Sequence, residues 1–178
     1  MNYTQDMNLL STSGYCMPFE EKDRDVQLTL RYGKQKHPKT GESFFHHGID
    51  FKTNNYFLAA VADGVVSGIG IDRKQYGLYV VIKYSKYEVT YSHMSNVFMH
   101  FGQQVKAGLA VGVSSDLLHM EVKYDGEEID PVEFITMLYG NAKTWSEKGK
   151  AQPEFVAIDM DVHTDYDKDK DEIEKLMM

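Results

Sequence analysis

Cysteine is nearly absent: Cys16 is the single one among 178 residues. No internal disulfide is possible, and no thiolate cluster can hold a metal. A catalytic Cys16 would need a histidine beside it; the residue reads instead as a buried, inert thiol. Basic residues are also short, with 19 Lys and Arg against 27 Asp and Glu, for a net charge of −8. That balance argues against nucleic acid as a partner. Long apolar runs are missing too. The longest, Phe57 to Ala62, is far too short to span a bilayer. The opening MNYTQDMNLLSTSGYCM has neither the basic start nor the apolar stretch of a signal peptide. The expectation is a soluble chain with no membrane partner; action outside the cell would need another route or a leader. No internal repeat is visible.

What is present suits a core of strands. Hydrophobic residues make up 42%, and 12 Tyr with 9 Phe favour β structure. Residues 1 to 16 read as a polar lead-in. VQLTL from Val26 alternates as a strand does, and 31 to 43, with Gly33, Pro38 and Gly41, reads as a long loop. Short strands are expected near His47–Phe51, Phe57–Ala60, Gly64–Ile71, Gly77–Tyr84, Glu88–His93, Leu109–Val113 and His119–Tyr124, separated by turn signals such as Asp63-Gly64 and Asp125-Gly126. The fold class is all-β and mainly antiparallel. After Asp130-Pro131 a short helix is expected over 132–139. A C-terminal appendage, 140 to 178, follows; it ends in a helix capped by Thr164 or Asp165. Its aspartates at 165, 167, 169 and 171 lack the glycine and closing glutamate of a calcium loop.

The stretch FFHHGIDF, 44 to 51, pairs histidine with aspartate. In a straight strand, His46 and Asp50 would stand about 13 Å apart, whereas zinc–nitrogen bonds are about 2 Å long. A bend at Gly48 would let both reach one metal; without a shared metal, the stretch is a polar turn entering a strand. In DLLHMEVKY, 116 to 124, period two puts Leu118, Met120, Val122 and Tyr124 on the core face and turns His119 away from it. In YEVTYSHMSN, 87 to 96, His93 shares a face with Val89 and Tyr91 near the strand end. His37, His100 and His163 read as structural or solvent-facing. Two histidines and an aspartate would give zinc three protein ligands and one open position, the catalytic form, which activates a water.

The ordered set RYGKQKHPKTG, FFHHGIDF, VADGVV, LYVVIKYSKYEVTYSHMSN, GQQVKAG and LHMEVKYDGEEIDP resembles the lysostaphin-like (LytM-type) zinc metallopeptidases, which cut peptide bonds of bacterial peptidoglycan. The resemblance covers roughly 17 to 139, and the expected division is lead-in 1–16, metallopeptidase domain 17–139 and appendage 140–178. It implies an antiparallel β-sandwich with a groove over the zinc. It implies His46, Asp50 and His119 as zinc ligands, His47 as a spacer, and His93 as the histidine that assists catalysis. The substrate implied is a peptidoglycan peptide, and the site of action the cell wall. Two departures stand out. Leu117 occupies the place of the leading histidine of the family's H-x-H motif, and the loop before that strand is several residues short. They imply either a zinc metalloendopeptidase of reduced activity or a catalytically silent domain that binds a peptide, a glycan or a partner protein.

Overall fold

The computed structural model describes residues 3–19, 26–148 and 166–177. The strands are β1 (Gln27–Leu30), β2 (Gly33–Lys36), β3 (Ser43–His46), β4 (Ile49–Lys52), β5 (Phe57–Ala59), β6 (Gly64–Asp72), β7 (Gly77–Tyr84), β8 (Tyr87–Val97), β9 (Gln104–Val105), β10 (Ala110–Tyr124) and β11 (Glu127–Ile129). Two helices follow, α1 (Pro131–Glu147) and α2 (Tyr166–Met177). Nine strands form one antiparallel sheet in the order β1-β4-β10-β8-β7-β6-β9, with β5 and β11 also paired to β10. The expected all-β class is therefore observed. Among the described residues no helix is long and apolar enough to cross a membrane.

The inward face of the sheet buries Val80, Ile82, Val89, Tyr91, Met120 and Val122 completely. Phe134 of α1 closes the core against the rings of Tyr84 and Tyr87. Asp130 caps α1 by accepting the Val132 N–H at 3.0 Å, and Pro131 begins the helix where no N–H is needed. The helix runs well past the expected 139. Gly140-Asn141 reads as a stop, yet Leu138, Asn141 and Trp145 continue the buried stripe. The Asn141 side chain donates to the Leu9 carbonyl at 3.0 Å, so its burial is compensated. Trp145 meets Tyr15 edge-on at 5.6 Å. The stretch expected as a polar lead-in contributes Met7 and Leu9 to the core, and Asp63 holds Thr12 through both its backbone and its hydroxyl at 2.7 Å. Helix α2 packs on α1 through Lys143–Asp169 and Tyr139–Glu172, each at 2.7 Å. Its expected cap, Thr164 or Asp165, lies outside the described residues. Cys16 is half-buried, its thiol 3.0 Å from the Ala60 carbonyl; burial pushes its pKa up, away from a reactive thiolate.

Two further segments depart from expectation. The stretch 31–43 is not a simple loop, because β2 and β3 form a hairpin within and beyond it. Both strands are largely exposed on both faces, so no apolar alternation announces them. His37 serves the hairpin turn, accepting the N–H groups of Lys39 and Thr40 on Nδ1. The strands expected at 109–113 and 119–124 are one bent strand, β10. Its SSD segment resembles a turn, but hydroxyls replace part of the ladder there. Ser114 Oγ accepts from Tyr56 N–H at 3.1 Å, and Ser115 Oγ bonds both the N–H and the carbonyl of Leu117.

Candidate metal centre

Strand pairing builds the centre. β4 lies antiparallel to β10 with His119 opposite Asp50 and Met120 opposite Ile49. Directly opposed residues on one face hold their Cβ atoms about 5 Å apart, within reach of a shared ion. His46 comes from a different piece of structure, the end of the β2–β3 hairpin. The chain bends at Gly48 before β4 begins, and His46 Nε2 thereby arrives 3.4 Å from Asp50 Oδ1. His119 Nδ1 is 2.6 Å from the same oxygen. One ligand atom from each of the three lies within 4.8 Å of the others, so the group could hold a metal ion.

The expected bend at Gly48 is observed, but its φ is not in the left-handed region. What matters at Gly48 is space. A Cβ there would sit 2.4 Å from the Met120 carbonyl oxygen, 2.8 Å from His119 Cε1 and 2.9 Å from Glu121 Cγ. Backbone therefore slides directly over the ligand strand. Gly48→Ala should force β10 away, destabilise the fold by about 1–3 kcal/mol and weaken metal binding; thermal unfolding with and without zinc reads both.

Each histidine is steered by its second nitrogen, as metal ligands commonly are. His46 Nδ1 donates to the Arg31 carbonyl at 2.9 Å, leaving Nε2 toward Asp50. His119 Nε2 meets Glu121 Oε1 at 3.0 Å, and the Tyr76 hydroxyl donates to the same oxygen at 3.2 Å. Burial by itself would depress the His119 pKa, but the hydrogen bonds to Asp50 and Glu121 prevail and push it up to about 9. Burial raises the Glu121 carboxyl, while His119 and Tyr76 pull it further down, so it is ionised. Two histidines and a carboxylate, oriented by outer partners and only 11–19% exposed, are a nitrogen and oxygen donor set that suits zinc. Tyr76 and Glu121 are the outer side chains that hold His119. Tyr76 lies in a polar turn with no periodic signal to mark it.

The other expected residues are placed as follows. His47 turns away, to Glu128 at 2.9 Å, and is a spacer in the geometry. His93 is in the site, its ring 6.4 Å from that of His119. It does not share the face of Val89 and Tyr91, which are buried in the core. His93 adopts φ 60 at a break in the β8 ladder, between Ser92 paired with His119 and Met94 paired with Ser114. The break reverses the alternation and turns the imidazole toward His119. Burial and the nearby His119 charge lower its pKa, against the pull of Asp50, so the ring is neutral. A left-handed non-glycine residue stores about 1–2 kcal/mol of strain, and such strain collects at functional sites. His93→Gly should therefore leave the unfolding temperature unchanged or raised, which thermal unfolding reads directly.

Leu117 is half-exposed, opposite Lys52 on β4. No imidazole stands two residues before His119, and the preceding loop is reduced to an irregularity between Ser114 and His119.

Residues 44–131 match the family model described as Peptidase family M23. A 96-residue stretch is 31% identical to the murein hydrolase activator NlpD of Escherichia coli, covering 49% of this chain and 25% of that protein. Matches to the curated relatives span about a quarter of their length. A zinc-containing peptidase from Vibrio cholerae superposes with a TM-score of 0.54 at 25% identity, over 68% of this chain and 39% of that one. The catalytic domain of lysostaphin from Staphylococcus simulans, at 20% identity, shares the fold with a TM-score of 0.55, over 66% of this chain and 98% of that domain.

Proposed function

Because residues 44–131 form a domain of peptidase family M23, we propose that this protein is a zinc-dependent metalloendopeptidase acting on peptidoglycan peptides, with turnover limited by Leu117. The observation that carries the reading is the convergence of His46, Asp50 and His119 within 4.8 Å, with His93 beside them. In this reading those three residues hold the ion and His93 works next to it. A zinc ion bound there supplies a Lewis acid that activates water and polarises the scissile carbonyl. The chain's own residues do the rest. Glu121 and Tyr76 hold the His119 ring in place. His93, neutral at physiological pH, can accept a proton or donate a hydrogen bond to charge developing on the carbonyl oxygen. The family's second histidine, which shares the proton handling, has no counterpart at Leu117. The NlpD relatives, named murein hydrolase activators, support the cell wall as the place of action.

Zinc-loaded protein incubated with purified peptidoglycan should release new amino termini slowly, and His93→Ala should release none above background. Full release by the variant, or by metal-stripped protein, contradicts the proposal. A second reading has its own observation: Leu117, in a chain related to a hydrolase activator, fits a catalytically silent domain that binds a peptide, a glycan or a partner protein. Zinc uptake and peptidoglycan binding with no release from wild type or from Leu117→His would favour it.

A further inference from the structure

The outward face of the sheet beside the metal centre carries a cavity of about 620 Å³. Its floor follows the strand register. Glu121 of β10 lies opposite Thr90 of β8, which lies opposite Val81 of β7. Their neighbours Val80, Ile82, Val89, Tyr91, Met120 and Val122 point the other way and form the core. Three strands with spacings of about 4.8 Å give a floor of roughly 10 Å, the length of about three residues of extended peptide. One end of the cavity is the Glu121–Tyr76 pair that steadies His119. The β6–β7 turn walls the cavity: it supplies Tyr76 to that pair, and Asp72, Arg73 and Lys74 to the lining.

The charged groups of the lining differ in how they are engaged. Glu121 is engaged by His119 and Tyr76. Asp72 is engaged by its own turn, accepting the N–H groups of Lys74 and Gln75 at 2.9 and 3.3 Å. Arg73 and Lys74 are exposed and make no ion pair among the described residues. Two cations without an ion pair among the described residues thus line a cavity whose two carboxylates, Asp72 and Glu121, are held by hydrogen bonds of their own.

We propose that this cavity binds a carboxylate-bearing peptide in extended form, with Arg73 and Lys74 recognising a free carboxylate of that peptide. The inference rests on the endopeptidase reading and names its substrate class: acidic peptides are preferred over otherwise identical amidated ones. Exposed charge pairs contribute about 0.2–1 kcal/mol each, so two cations should favour the acid form about 2- to 30-fold.

The test uses zinc-loaded full-length protein and two probes, a fluorescently labelled peptidoglycan stem peptide with free carboxylates and the same peptide with those carboxylates amidated. Binding is read by fluorescence anisotropy. Wild type should bind the acid form about 2- to 30-fold more tightly, and R73Q/K74Q should abolish the difference while leaving affinity for the amide unchanged. Equal affinity of wild type for both peptides overturns the inference, as does discrimination that persists in R73Q/K74Q. If zinc-loaded wild type binds neither peptide, the endopeptidase reading itself fails and takes this assignment with it.

Discussion

Leu117→His is expected to raise peptidoglycan hydrolysis about 10²- to 10⁴-fold, the range that one positioned acid or base contributes. The site is otherwise furnished for it. Leu117 lies two residues before His119, so the alternation of an extended strand carries both toward the same face, and it pairs with Lys52 just as His119 pairs with Asp50. Its side chain is half-exposed, so an imidazole needs no new cavity. Glu121 cannot already fill the role. Its carboxylate is fixed to His119 Nε2 and the Tyr76 hydroxyl, on the far side of the ring from Asp50. Release of new amino termini, measured at equal zinc content, checks the prediction. No gain would place the defect elsewhere than at residue 117, with the shortened segment between Ser114 and His119 as the next suspect.

Asp50→Ala should weaken zinc binding by well over 100-fold and abolish turnover. Losing an outer partner of a metal ligand costs about 10- to 100-fold, and Asp50 is itself one of three candidate ligands. It also lies 2.6 Å from His119 and 3.4 Å from His46, so its loss frees both rings. Competition titration with a chromogenic chelator measures the affinity. The same experiment has a pH signature. In the metal-free protein His119 is protonated up to about 9, and an incoming ion must displace that proton. Binding to wild type should therefore tighten as pH rises from 6.5 toward 9. In the absence of metal the sign for folding is the reverse. A histidine whose pKa is raised on folding stabilises below the unfolded value near 6.5, and that contribution is lost as pH climbs through 9. Zinc loading should abolish the loss.

Much of the site was legible in the sequence because ligand spacing is a local property. His46, Gly48 and Asp50 lie within five residues, and the strand period alone turned His119 out of the core. The reason for Gly48 was not legible. Close approach of the Met120 carbonyl is a contact between residues some seventy positions apart, and nothing local reports it. His93 was reached by motif while its geometry was misread, because period two assumes an unbroken ladder and His93 is the break. The β2–β3 hairpin escaped because a strand exposed on both faces carries no apolar alternation. Helix α1 outran its expected end because tertiary burial of Asn141 and Trp145 outweighs the local stop signal at Gly140.

The central claim is that one zinc ion sits between His46, Asp50 and His119. It is tested most directly by an anomalous-difference map at the zinc absorption edge, from crystals of the zinc-loaded protein. The account predicts one strong peak about 2 Å from His46 Nε2, an Asp50 carboxylate oxygen and His119 Nδ1. No peak there, or a peak held by other residues, would contradict it.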